Sequence, residues 1–74
     1  MDPQQALTEL IDAVASQDWN HAFDLSGGLQ SWLERGGFPP VTLGPEDLGH
    51  HWHRTIALTV CQLACQMAEG VVEE

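Results

Sequence analysis

The segment Ile56–Ala68 constrains this chain most. Only Thr59, Gln62 and Gln66 interrupt its apolar residues, so a helix here is greasy nearly all round. Such a helix has to be buried on more than one side. It belongs to a longer helix expected over about 45–69. Pro45 suits the first turn, Glu46 and Asp47 the positive end of the dipole, and Gly70 the stop, with Val71–Glu74 as a frayed tail. At roughly 1.5 Å per residue this helix spans about 36 Å. The two helices read below reach about 20 Å and 27 Å on the same rise. A hairpin of shorter helices cannot cover both faces of a longer one. A second copy of the chain is the simplest cover, the more so because 74 residues bury only about 60% of their unfolded surface. The apolar row Trp52, Ile56, Val60, Leu63 and Met67, continuing from Leu48, is the expected interface. A second row holds Leu58, Cys61, Cys65 and Ala68.

The first helix is expected over about 3–16. Asp2 is its N-cap, Pro3 its first residue and Gln5 the third-position partner of a capping box. Leu7, Leu10, Ile11 and Val14 form one face. A turn at Ser16-Gln17-Asp18 leads to a second helix over about 19–35, capped by Asp18 and patterned by Trp19, Ala22, Phe23, Leu25, Leu29, Trp32 and Leu33. Gly27-Gly28 predicts a kink in it, since interior glycine costs about 1 kcal/mol relative to alanine. The alternatives are a break capped by Ser26 and a close approach of another backbone. Gly36 or Gly37 ends the helix in a left-handed conformation, Phe38 supplies the apolar contact, and Pro39-Pro40 forbids continuation. In the crossing loop that follows, Val41 and Leu43 are expected to tuck inwards.

Two local resemblances follow from these residues. Ala13, Gln17-Asp18-Trp19 and Ala22 resemble the turn of a tetratricopeptide-type helical hairpin, where alanines let two helices approach. A single unit is no solenoid, and no peptide-binding role carries over. Trp32-Leu33-Glu34-Arg35-Gly36-Gly37-Phe38-Pro39-Pro40 is similar to a segment of small bacterial helical proteins to which no activity is attached.

Charge narrows the function classes. Eleven acids face two arginines and no lysine, for a formal net charge of −9. That excludes an electrostatic nucleic-acid binder and a polybasic membrane anchor. Two cysteines are too few for a disulfide scaffold, and no apolar run has the roughly 18 residues a membrane helix needs. The Met-Asp-Pro-Gln-Gln start is unlike a signal peptide, which points to the cytoplasm.

The residues with most chemistry lie in Glu46-Asp47-Leu48-Gly49-His50-His51-Trp52-His53-Arg54. His50 and His53 share a helical face with Glu46 one turn earlier, and they are the candidate metal ligands, the fourth coming from a partner chain or from His21. The plainer reading pairs His50 and His51 with Glu46 and Asp47 across a helical turn. His21 lies between Asp18 and Asp24 and reads as a surface ion pair. Cys61 and Cys65 read as small core residues, with a redox or thiolate role as the alternative. Arg54 is expected to pair with an acid on a neighbouring helix or subunit, and Arg35 to serve the end of helix two. No nucleophile constellation or phosphate loop is present.

The expectation is therefore one all-α domain over 1–74: a three-helix up-down-up bundle with a long C-terminal helix, dimerising through it. It has no enzymatic role and no cofactor. It acts in protein–protein interaction or regulation as a homodimer, with no nucleic acid or membrane as direct partner. One alternative is an acidic nucleic-acid mimic that masks a basic protein. Another is a metal- or redox-linked helical module.

Overall fold

The computed structural model describes the backbone of residues 1–73 and the side chains of residues 1–70. Among these residues every regular element is helical. They are α1 (Pro3–Ala15), α2 (Trp19–Glu34), a single 3-10 turn over Glu46–Leu48, and α3 (His50–Glu73). The body measures 40 × 23 × 17 Å, and α3 accounts for most of its length. Helix α2 packs against both of the others, while α1 and α3 touch little.

The helix ends follow from local chemistry. The Asp2 carboxylate accepts from the N–H groups of Gln4 and Gln5 at 3.1 and 3.3 Å. Only half of the expected capping box forms, because the Gln5 side chain donates to Glu9 instead. Both α1 and α2 end in Schellman motifs. For α2, Gly36 (φ +89°) donates to Leu33 and Gly37 to Trp32. For α1, Gln17 donates to Val14 and Asp18 to Ala13, with Gln17 itself held at φ +60°. Phe38 then meets the Trp32 ring edge-on at 5.6 Å, as its position after the α2 cap implies. Gly37 has to be glycine because a Cβ would run into the Trp32 indole.

Several expectations need correction. Helix α3 does not begin at Pro45. The 3-10 turn ends at Gly49, whose φ of +99° breaks the path, and α3 starts at His50. Its helical backbone passes Gly70 and reaches Glu73, while Glu74 of the expected tail lies outside the described residues. Helix α2 runs unbroken through Gly27-Gly28. Both glycines are exposed, and no other backbone approaches them. In the crossing loop it is Pro39 and Pro40 that are buried, while Val41 is exposed and Leu43 stands 66% exposed.

The core joins Leu7 and Leu10 of α1, Leu29 and Leu33 of α2 and a row of small residues on α3. That row is Ala57, Cys61, Ala64 and Ala68, with His53 at its head. Leucines of one helix fill the space that alanines of another leave, which lets α2 and α3 approach closely. The buried face of α3 therefore falls between the two apolar rows read from the sequence.

Candidate interaction surface

The first turn of α3 and the crossing loop are tied together by His53. Its ring is 2% exposed. The Thr42 backbone N–H donates to Nδ1 at 3.0 Å, and Nε2 lies 3.0 Å from the Pro45 carbonyl. A backbone N–H can only donate and a carbonyl can only accept, so Nδ1 is bare and Nε2 carries the hydrogen. The Thr42 hydroxyl, 2.8 Å from Nδ1, completes the clasp. A second clamp holds the same loop to α1. The Gln4 side-chain amide donates to the Val41 carbonyl at 3.2 Å and accepts from the Val41 N–H at 2.9 Å. Nothing in the sequence pattern marks Gln4 for this role, because its partner lies 37 residues away.

This arrangement redistributes the residues singled out for chemistry. His53 has no lone pair left for a metal, so a site built on His50 and His53 lacks its second ligand. Among the described residues no group of three or more His, Cys, Asp or Glu side chains is placed to hold a metal ion. Gly49 takes Glu46 and Asp47 off the helix that carries His50 and His51, so the expected pairing across a helical turn does not apply. The Asp18 carboxylate accepts from the His21 backbone N–H at 3.4 Å as the α2 cap. Arg54 donates to the Gly37 carbonyl at 3.2 Å rather than to an acid. Arg35 folds back onto the Ser31 carbonyl, as its place near the end of α2 implies. Cys61 is fully buried and burial pushes its thiol up to about 11, so at neutral pH it is a protonated space-filler. Cys65 is half-buried, and both thiols are free.

A shallow cleft of about 190 Å³ lies where α1 begins, between Asp2, Gln4, Pro40, Glu46, His50 and His53. It is small beside the roughly 300–1,000 Å³ of ordinary ligand pockets.

An apolar stripe stands exposed on α3 itself. Trp52, Leu63 and Met67 are 46%, 54% and 41% exposed, and Ile56 and Val60 are half-buried between them. At 100° per residue these five lie within one side of the helix, next to the buried row. At the start of the stripe the Trp52 indole N–H donates to the Leu43 carbonyl at 2.9 Å. From Thr55 to Ala68 the helix carries no charged residue and no histidine. No helix of the described residues is long and apolar enough to cross a membrane. No family profile, curated protein or solved structure matches the chain.

Proposed function

We propose that this chain is a non-enzymatic interaction module that works as a homodimer, its α3 helices paired along Trp52, Ile56, Val60, Leu63 and Met67. In each copy the three helices run up, down and up. The observation that carries the reading is the exposed apolar stripe on a stretch of α3 without charge. Contiguous exposed apolar surface of this kind marks an association site.

A second copy suits the surface for two reasons. Each chain carries −9, and a dimer brings that charge together twice. The one long stretch without acids is where such chains can meet without like-charge contact. The spacing Ile56, Val60, Leu63, Met67 also alternates four, three and four residues, which is the d-a-d-a seam of paired helices. It has β-branched Val60 at an a position and Leu63 at a d position.

Sedimentation equilibrium tests the reading. The chain is expected at twice its monomer mass. Leu63→Asp is expected at monomer mass with unchanged helical circular dichroism, because Leu63 is half exposed within its own subunit. A wild-type chain that stays monomeric at millimolar concentration would overturn the proposal.

A further inference from the structure

We propose that residues 42–48 form an acid-released strap across the start of α3, with His53 as its catch. The strap has few other ties. Thr42 and Pro45 hold the His53 ring, and the Leu43 carbonyl accepts from the Trp52 indole. The exposed Gln4 side chain holds Val41 just before it. Leu43 and Leu48 stand 66% and 48% exposed, so little apolar burial keeps the strap down. Glycines in the left-handed region lie within it and directly after it, Gly44 at φ +83° and Gly49 at φ +99°. The device works within one copy of the chain and stands apart from the dimer reading.

The catch fits the neutral ring alone. Nδ1 has one lone pair, and the Thr42 N–H aims its hydrogen at it across 3.0 Å. A proton from solvent takes that lone pair and makes Nδ1 a second donor. Nε2 already donates to the Pro45 carbonyl and continues to do so. The Thr42 hydroxyl can rotate and accept from the charged ring. The Thr42 backbone N–H cannot accept, so two N–H groups are left facing each other. At 2% exposure the charged ring is also shut off from water, which disfavours charge. Lifting the strap relieves both. The strap is therefore closed in full above about pH 6.5, where free imidazole is neutral, and lifts progressively as the pH falls below it.

The ionisable groups that share the cleft beside the ring are Asp2 at the cap of α1, Glu46 on the 3-10 turn and His50 on α3. Helix α2 lends no residue to that cleft, and residues 36–45 carry no ionisable side chain. Arg54, next to His53 on α3, is turned to the Gly37 carbonyl. The Asp2 carboxylate is occupied by the N–H groups of Gln4 and Gln5. Asp2 and Glu46 attract a charged ring whether the strap is closed or lifted. The Thr42 N–H opposes it only when the strap is closed, and that difference sets the direction of the switch.

Nuclear magnetic resonance on the full chain, from about pH 8 down to about pH 5, tests the strap. The Thr42 amide and Trp52 indole N–H resonances are expected to leave their closed positions together with the His53 ring nitrogens, while helical circular dichroism holds. The ratio of lifted to closed strap should rise by at most about tenfold per pH unit, as one proton requires. His53→Asn keeps an oxygen acceptor for the Thr42 N–H and carries no titrating proton, so both resonances are expected to stay in place over the same range. His50→Gln, at the exposed histidine of the cleft, is expected to leave the wild-type transition intact. If His53→Asn fails to fold, the wild-type titration decides alone, because the ring nitrogens show where the proton sits. Resonances that hold still in the wild type while the exposed histidines titrate would overturn the proposal. So would a transition that survives in His53→Asn, one that His50→Gln abolishes, or a loss of helix in step with the strap, which is unfolding of the whole chain.

Discussion

At the scale of single residues, the most committed position is His53. One imidazole satisfies the Thr42 N–H and the Pro45 carbonyl, two backbone groups of a loop that has no regular structure to pair them. Removing the ring takes the partner from both partly buried groups, at about 0.5–1.5 kcal/mol per lost hydrogen bond, and leaves a cavity where a fully buried side chain stood. His53→Ala is therefore expected to lose about 3 kcal/mol of stability, a large share of the margin of a chain of this size. Chemical denaturation followed by tryptophan fluorescence checks this, since Trp52 bonds to the same loop at Leu43. Nitrogen chemical shifts of the wild-type ring are expected to show the hydrogen on Nε2. A ring found protonated on Nδ1 alone would contradict the clasp. Gln17 is the opposite kind of residue, an L-amino acid held in the left-handed region because the α1 cap requires it there.

At the scale of elements, the glycines divide by what surrounds them. Gly27 and Gly28 are exposed in the middle of α2. A Cβ on Gly27 meets nothing, and one on Gly28 meets only the Met1 methyl at 3.8 Å. Gly27→Ala and Gly28→Ala are each expected to stabilise the fold by about 1 kcal/mol. In a domain of this size that is a rise of roughly 4–8 °C in melting temperature. Gly37→Ala is expected to lower it, because the added carbon collides with Trp32. The α1 and α2 boundaries were legible because caps are local chemistry: Asp2, Asp18 and Gly36 each act within a few residues of sequence. The start of α3 was not, because Pro45, Glu46 and Asp47 open a 3-10 turn as readily as an α-helix, and only the φ of Gly49 separates the two. The buried face of α3 was hidden for a different reason. Hydrophobicity ranks Trp52, Leu63 and Met67 above Ala57 and Ala64, but helices that approach closely select the small residues and turn the large ones out. The same selection leaves Trp52, Leu63 and Met67 exposed on the neighbouring side of α3.

At the scale of the whole molecule, adjacent residues on α3 meet different surroundings. Ala64 faces the chain's own core and Leu63 faces outwards. Ala64→Leu forces extra methylenes between α3 and the leucines of α2, and overpacking of this kind costs about 1–3 kcal/mol. Its melting temperature is expected to drop at every protein concentration. Leu63→Ala trims a side chain that stands 54% exposed in its own subunit, so its melting temperature in dilute solution is expected to match the wild type. The wild type itself should melt higher as concentration rises, because mass action favours the paired state. Leu63→Ala should flatten that dependence. Circular dichroism melts across a hundredfold range of concentration separate the two effects. A Leu63→Ala chain that melts low at every concentration would make Leu63 a core residue and leave α3 with no free face to offer a partner.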